Sequence, residues 1–288
     1  MQVVSRFAPS PTGRLHLGHA YSALRAYDFA RSRGGVFLLR IEDIDPGRRR
    51  AEHIDGVIED LHWLGLQWDG EIVFQSQRLA LYADALAGLK ETGLVYPCFC
   101  TRSAISAEIA ASASAPHGPD GPHYPGTCRR LGEGERAARI ATEPHAWRLD
   151  AARAVASAGL LTWHDGETVI EARPQAFGDV VLARKDAPVS YHLAVTVDDA
   201  AQGVTDIVRG RDLFEATHVH RLLQALLDLP APRYHHHPLL TAADGTRLAK
   251  RSGAPTLASL REAGADPARL LDALRTGEMP GGYSLAAT

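Results

Sequence analysis

The order of apolar segments at the start of the chain restricts the fold more than any other feature. Residues 2–7 and residues 36–41 (VFLLRI) are short and apolar enough for buried strands, and a helix is predicted over residues 17–33. Two helical faces follow, in which large side chains recur every three or four positions: Ile54, Ile58, Leu61 and Leu64, then Leu79, Tyr82, Leu86 and Leu89. This strand–helix–strand–helix order predicts an α/β fold with a parallel sheet and right-handed crossovers.

The pattern changes after Tyr96. Residues 104–122 are dominated by Ala, Ser, Pro and Gly, which favours a flexible excursion over a core element. Apolar segments then return, with a strand at 168–171, runs at 179–183, 191–197 and 206–208, and a helix at 216–229. We interpret the chain as one doubly wound domain whose halves flank an insertion. The predicted parts are the first half (1–96), the insertion (97–177), the second half (178–240) and a loop with a short helical segment (241–288).

Composition limits the classes of partner. The formal net charge is -3, and a protein that coats nucleic acid without sequence preference is normally basic, so contact with a polyanion needs a local patch. The first residues lack the apolar core of a signal peptide, and no window of the sequence approaches a membrane span. We therefore expect a cytoplasmic protein with no membrane partner.

Residues 6–19 (RFAPSPTGRLHLGH) place His16 and His19 at the start of the first predicted helix. The first N–H groups of a helix lack intrahelical partners, so this position is a ready anion site. Two imidazoles there can donate hydrogen bonds to phosphate oxygens as charge develops, and Gly18 leaves room for a flat base to approach the backbone. An H-x-x-H pair alone is equally consistent with a capped helix that carries two surface histidines. The complete string favours the anion site.

This string resembles the signature of the class I glutamyl- and glutaminyl-tRNA synthetases, with residues 16–19 (HLGH) in the place of the HIGH element. Residues 247–252 (RLAKRS) resemble the lysine-bearing KMSKS loop of the same family, and the resemblance implies that Lys250 reaches the phosphates of ATP. Ala249 and Arg251 depart from the usual loop sequence. The resemblance covers nearly the whole chain, and it implies a Rossmann-like doubly wound parallel sheet.

The resemblance also implies the chemistry. The carboxylate of an amino acid attacks the α-phosphate of ATP and pyrophosphate leaves. Because a carboxylate is already ionised at neutral pH, positioning and charge stabilisation are needed rather than a general base. We expect His16, His19 and Lys250 to act in catalysis, and the same residues with Gly18 to bind ATP. ATP brings Mg²⁺, for which the sequence identifies no protein ligand.

Five residues in strings that match the family are expected to bind glutamate. Arg6 and Arg209, the latter in VRGRDL beyond a later strand, are partners for carboxylates. Glu42, in LRIEDID, is the expected partner of the ammonium group. Tyr191, in SYHLAVTVDD, offers a hydroxyl, and Ser10 lies within the signature. For any one of the charged residues, a surface ion pair is the competing interpretation.

The chain's three cysteines, Cys98, Cys100 and Cys128, suggest a metal site rather than a disulfide framework, because an odd number of them falls in one segment. Three thiolates from two short loops suit tetrahedral zinc. The residues alone leave the fourth ligand open: Tyr124, His123, His117 or water. The resemblance favours Tyr124, because a C-x-C…Y-x-x-x-C arrangement marks the short glutamyl-synthetase relatives. Zinc here would be structural, and three unligated thiols are the alternative.

A second group of potential metal ligands, the triplet at 235–237 (HHH), is discounted. Consecutive side chains of an extended chain point to opposite faces, so the three rings are not expected to converge on one ion.

Only 36 residues (253–288) follow RLAKRS, where full glutamyl-tRNA synthetases continue with helical domains for the anticodon. The chain therefore resembles the short glutamyl-queuosine tRNA(Asp) synthetases. That resemblance implies activation of L-glutamate without tRNA and its transfer to the queuosine of tRNA(Asp). We expect the protein to be a monomer. The alternatives are a compact synthetase that charges the 3′ end of tRNA(Glu) and a catalytically silent tRNA-binding paralogue.

Overall fold

The computed structural model describes residues 2–111, 117–119, 121–241, 255–277 and 283–286. The first part of the chain forms β1 (Val4–Phe7), α1 (Leu17–Arg31), β2 (Val36–Ile41), α2 (Ala51–Trp63), β3 (Val73–Phe74), α3 (Leu79–Glu91) and β4 (Val95–Cys98). The middle part forms α4 (Arg102–Ala111), β5 (His117–Gly118), β6 (Gly121–Pro122), α5 (Glu133–Thr142), β7 (Ala146–Leu149), α6 (Ala151–Ala158), β8 (Thr162–Asp165), β9 (Thr168–Glu171) and β10 (Val181–Ala183). The last part forms α7 (Tyr191–Ala201), β11 (Asp206–Gly210), α8 (Ala216–Leu226), β12 (Arg233–His237), β13 (Leu240–Thr241), α9 (Leu257–Glu262), α10 (Pro267–Thr276) and β14 (Ser284–Leu285).

The predicted parallel sheet is present as two sets of strands, which we call the first and the second half of the sheet. In the first half β2 lies between β1 and β3, and both pairings are parallel. In the second half β12 pairs in parallel with β11 and with β8. The two sets of strands meet where the N–H of Thr205 donates to the carbonyl of Val4 at 2.9 Å. The carboxyl ends of β1, β2 and β11 therefore point to one edge, where ligands bind in folds of this kind.

A smaller antiparallel sheet carries the cysteine-bearing loops. Its strand order is β10-β7-β4, and β4 ends at Cys98. Strands β8 and β9 fall within the predicted insertion (97–177), yet β8 pairs with β12 of the second half. The division of the chain into an insertion and two halves stays a prediction.

Short side chains let α1 approach the sheet closely. Ala20, Ala23, Ala26 and Ala30 are fully buried on one face of this helix, together with Leu24. Because Ala has no side chain beyond Cβ, the helix axis can lie near the strands without leaving voids. This contact fixes the start of α1, and with it the two histidines, relative to the carboxyl end of β1.

Several boundaries differ from those predicted. Helix α1 ends at Arg31, because Gly34 takes a left-handed φ of 60° and the N–H of Gly35 turns back to the carbonyl of Ala30, and α8 ends at Leu226. Asp228, with a φ of 52°, turns the chain soon after α8. The Ala-rich segment was predicted to be irregular, but its first part is the exposed helix α4, since Ala has the highest helix propensity. Among the helices described, none combines the length and apolar character that crossing a membrane requires.

Candidate active site

A cavity of about 660 Å³ opens at the carboxyl ends of β1, β2 and β11. The predicted ligand-binding residues that the structure describes all line it: Arg6, Ser10, His16, Gly18, His19, Glu42, Tyr191 and Arg209. Lys250 lies outside the described residues. Among the described residues on either side of Lys250 in the sequence, Leu239 and Leu240 line the cavity, and Thr256 forms a β-bridge with His16.

His16 and His19 each cap the start of α1 through their own Nδ1 atom. The Nδ1 of His16 accepts the N–H of Gly18 at 3.1 Å, and the N–H of His16 donates to the Nδ1 of His19, also at 3.1 Å. The ring centroids are 3.9 Å apart. A neutral imidazole that accepts at Nδ1 must carry its proton at Nε2, so both rings become donors at Nε2. The capping role considered in the sequence therefore also fixes the tautomer that suits phosphate.

Gly18 has a steric function next to these rings. A Cβ added at this position would lie 3.0 Å from Cε1 and 3.2 Å from Nδ1 of His16. Such contacts are tighter than ordinary van der Waals separation, so a larger residue would displace the His16 ring from its capping position. This constraint differs from the expectation that Gly18 makes room for a base.

Arg6 is held by a buried carboxylate. Its Nε donates to Oδ1 of Asp199 at 2.8 Å and its Nη2 donates to Oδ2 at 3.2 Å. The fully buried Arg40 donates to the same Oδ1 at 2.9 Å. Although burial alone would raise it, the two guanidinium groups lower the pKa of Asp199. One edge of Arg6 is therefore committed, and a substrate carboxylate can reach only its Nη1/Nη2 end.

The carboxyl group of Glu42 has a raised pKa. Its Oε1 lies 3.6 Å from Nη2 of Arg40, and its side chain is almost completely buried. Burial raises the pKa of Glu42 to about 7, even though the charges of Arg40 and Arg6 oppose that shift. A cation placed against Glu42 would favour the ionised form, which suits the predicted contact with an ammonium group.

Arg209 lies within β11, not beyond it as the sequence suggested. Its Nε donates to Nε2 of His236 at 3.2 Å, and its Nη1 bonds Nδ1 of His220 at 3.3 Å. Its Nη2 donates to the carbonyl of Leu213 at 2.9 Å and to the hydroxyl of Thr217 at 2.6 Å. These four acceptors are uncharged groups, in contrast to the aspartate that binds Arg6.

Two further cavity residues differ in exposure. Tyr191 begins α7, and burial raises the pKa of its hydroxyl to about 12, so it remains a hydrogen-bond donor at neutral pH. Ser10 is exposed at the rim, where its carbonyl accepts the N–H of Thr12.

The three cysteines converge. The Sγ atoms of Cys98, Cys100 and Cys128 all lie within 4.8 Å of one another, and the last two are 3.5 Å apart. Thiolates around one tetrahedral zinc would be about 3.8 Å apart, so the cluster fits such an ion. Burial raises the pKa of Cys100 to about 11, whereas hydrogen bonds outweigh burial and lower the pKa of Cys128. A cation would therefore be needed to hold Cys100 as a thiolate at neutral pH.

Of the candidates for a fourth ligand whose side chains the structure describes, Tyr124 is the one that contacts the three cysteines. Its hydroxyl lies 3.4 Å from Sγ of Cys100 and accepts the N–H of Cys128 at 2.9 Å. The ring of His123 instead bonds the carbonyl of Ala176 at 2.7 Å, and the side chain of His117 lies outside the described part of the molecule. The cluster can bind a metal ion; the identity of that ion and of its fourth ligand stay predictions.

Sequence reasoning missed the residues that surround the two arginines. Asp199 follows a second aspartate within the apolar helix α7, and such a buried acidic pair is itself a signal that basic partners exist. His220 and His236 gave no such signal.

The side chains of the histidine triplet (235–237) alternate between the two faces of the strand, as expected. His235 bonds Asp206 and His237 bonds Ser22, whereas His236 points to the other face, towards Arg209.

Comparisons with known proteins agree with this architecture. The family described as tRNA synthetases class I (E and Q), catalytic domain, matches residues 2–282. The glutamyl-Q tRNA(Asp) synthetase of Rhodobacter capsulatus is 50% identical over 276 residues, which cover 92% of this chain and 97% of that protein. The protein of the same name from Deinococcus radiodurans is 47% identical over 284 residues, which cover 98% and 91% of the two chains.

Among solved structures, the glutamate-tRNA synthetase of Elizabethkingia anophelis superposes with a TM-score of 0.79 at 26% sequence identity. The match covers 96% of this chain but 62% of that synthetase. The chain thus spans less than two thirds of the solved synthetase and nearly the full length of the two more similar relatives.

Proposed function

Because the chain belongs to the class I glutamyl- and glutaminyl-tRNA synthetase family and is a ligase-type enzyme, we propose that it activates L-glutamate with ATP in the absence of tRNA and transfers the glutamate to the queuosine at the wobble position of tRNA(Asp). One observation carries the proposal: a single cavity is lined by His16 and His19, which can donate to phosphate, and also by Glu42 and two buried arginines, Arg6 and Arg209. The names of the relatives support the acceptor.

In the first step, an oxygen of the α-carboxylate of glutamate bonds to the α-phosphorus of ATP. The bond from that phosphorus to the bridging oxygen breaks, and pyrophosphate leaves with the electron pair. No proton has to move. The Nε2–H groups of His16 and His19 donate to phosphate oxygens whose charge grows, and Lys250 acts on the same phosphates. Mg²⁺ accompanies ATP as a counter-charge.

The positions of the charged groups orient glutamate. Glu42 binds the ammonium, which is attached to the same carbon as the reacting carboxylate. The side-chain carboxylate then extends to Arg209, with Tyr191 and the free end of Arg6 beside it, and Ser10 contacts the amino acid from the rim. This arrangement leaves the α-carboxylate near the histidines, where the α-phosphate lies.

In the second step, a hydroxyl oxygen of the acceptor bonds to the acyl carbon of the adenylate. The bond from that carbon to the phosphate oxygen breaks, AMP leaves with the electron pair, and the hydroxyl proton passes to water. Zn²⁺ held by Cys98, Cys100, Tyr124 and Cys128 would act only in structure, by joining two loops that share a small apolar core.

The test is incubation with labelled glutamate and ATP, first alone and then with total tRNA. We expect glutamate-dependent exchange of pyrophosphate into ATP without tRNA, and label on the queuosine of tRNA(Asp). Label on the 3′ end of unmodified tRNA(Glu) would identify the compact synthetase instead, a candidate favoured by the similarity to solved glutamate-tRNA synthetases. An absence of exchange with protein that binds ATP would contradict both, and would favour a catalytically silent paralogue.

A further inference from the structure

We infer that His220 and His236 are positioning residues that hold Arg209 with uncharged acceptors, so that the site selects an amino acid with a side-chain carboxylate over one with a carboxamide. The inference rests on the proposed function, since it names how that site chooses its substrate. Neither histidine belongs to the signature strings that indicated the site.

The hydrogen bonds of Arg209 fix its orientation from three elements. His236 is on β12, His220 and Thr217 are on α8, and Leu213 precedes that helix. Together they accept from Nε, Nη1 and both hydrogens of Nη2. A guanidinium has five N–H groups, so these bonds leave one N–H on Nη1 for a ligand.

The tautomers of both rings follow from these bonds. Because guanidinium can only donate, the Nε2 of His236 must accept, and its Nδ1–H donates to Oδ1 of Asp165 at 3.0 Å. In the same way the Nδ1 of His220 accepts from Arg209, and its Nε2–H donates to Nδ1 of His192 at 3.2 Å. Each ring is therefore an acceptor only while it is neutral.

The surroundings keep both rings neutral. Burial and Arg209 lower the pKa of His220 well below its ordinary value, and His192, Arg6 and His236 act in the same direction. Burial, Arg209 and His237 also lower the pKa of His236 to about 4, against the opposing effect of Asp165. The preference for a carboxylate is consequently expected to stay constant between about pH 6 and 8.

The consequence concerns charge. Arg209 is 4% exposed, and within the described parts of the chain no carboxylate oxygen comes within the 4.0 Å that defines an ion pair with it. A buried cation without a counter-ion is unfavourable and is stabilised by an anionic ligand. A carboxamide could accept the remaining N–H through its oxygen, but it carries no charge and leaves the guanidinium without a counter-ion. A carboxylate in the place of either histidine would remove this selectivity.

The experiment compares His220→Asn with His220→Asp. The two side chains have the same shape, and an oxygen of either can accept from Nη1 in the place of Nδ1, but only aspartate neutralises the guanidinium. The measurement is kcat/KM for glutamate and for glutamine in ATP–pyrophosphate exchange. We expect the asparagine variant to retain most of the preference for glutamate, and the aspartate variant to lose about tenfold or more of it. The loss should appear in the KM for glutamate, and the KM for ATP should change by less than about threefold.

Equal preferences in the two variants would overturn the inference. His236→Gln and His236→Leu provide a second pair if the first fails to fold, because glutamine keeps an acceptor near the Nε2 position and leucine does not. The glutamine variant should restore the glutamate KM that leucine impairs, and the inference is wrong if both impair it equally. Wild-type protein without glutamate-dependent exchange would contradict the proposed function itself, whereas active wild type with indistinguishable variants would contradict this inference alone.

Discussion

Each half of the sheet presents a buried arginine to the same cavity, but one arginine is paired with a carboxylate and the other with uncharged acceptors. Arg6, on β1, is bound through two hydrogen bonds by Asp199 of α7, a residue 193 positions away in sequence. Arg209, on β11, is bound by a carbonyl, a hydroxyl and two imidazoles. The first arginine is already neutralised and joins the two halves. The second has only uncharged partners among the described residues, so its charge is available to an anionic ligand.

The largest effect is expected at the neutralised arginine. Asp199→Asn leaves the guanidinium groups of Arg6 and Arg40 buried without their shared carboxylate, which should lower the free energy of unfolding by about 3–5 kcal/mol. Chemical denaturation measures this change. Asp28→Asn is the matched control, because Asp28 also binds an arginine through two hydrogen bonds, yet that pair is exposed and should contribute less than about 1 kcal/mol. Equal losses in the two variants would show that burial does not distinguish these pairs.

The histidines of the first half should affect the rate of activation. His16→Ala should remove the proposed Nε2–H donor to the phosphates of ATP together with the cap of α1, and the rate of adenylate formation should fall by about a hundredfold to a thousandfold. Pre-steady-state measurement of adenylate formation tests this, and calorimetry should show that the Kd for glutamate changes far less. The same pattern is expected for Lys250→Ala. Unchanged turnover in both variants would remove the roles assigned to these residues.

The charged arginine of the second half should affect glutamate affinity. Arg209→Ala should raise the Kd for glutamate by roughly a hundredfold, because the substrate carboxylate loses its partner in a buried site. Arg6→Ala should instead act mainly on stability, since it leaves Asp199 with one guanidinium fewer. If Arg6→Ala weakened glutamate binding more than Arg209→Ala did, the comparison between the halves would be wrong.

Glu42 predicts a smaller, pH-dependent effect. Its pKa of about 7 in the free protein means that the carboxyl is protonated below that pH, and the ammonium of glutamate binds only the ionised form. Affinity should therefore be full above pH 7 and fall by about tenfold for each pH unit below it. Calorimetry in buffers of different ionisation enthalpy should detect proton release on binding near pH 7. A flat profile from pH 5.5 to 8 would refute this linkage, and Glu42→Gln, although weaker, should show that flat profile.

The smallest effect on the cavity is expected from the cysteine cluster, whose residues do not line it. Cys98→Ser should reduce bound zinc from about one ion per chain and destabilise the loops, while the KM for glutamate changes by less than about threefold. Metal analysis of protein purified without chelators measures the zinc. His123→Ala is the control, because that ring bonds the carbonyl of Ala176, and this variant should retain the ion. Wild-type protein without zinc would contradict the assignment.

The sequence predicted the parts of the molecule that local patterns determine. The order of strands and helices in the first half and the positions of His16 and His19 follow from segments of a few residues. The neutralisation of Arg6 could not be predicted, because its ion-pair partner, Asp199, lies far along the chain. Likewise, His220 and His236 meet Arg209 only when α8 and β12 pack beside β11, and no local string marks that contact.

The most direct test of the account is a crystal structure of the protein with glutamate and a non-hydrolysable ATP analogue. The side-chain carboxylate of glutamate should lie at roughly 3 Å from Nη1 of Arg209, its ammonium at Glu42, and the phosphates at His16 and His19. Glutamate bound outside this cavity, or inside it with its side-chain carboxylate on Arg6 alone, would contradict the account.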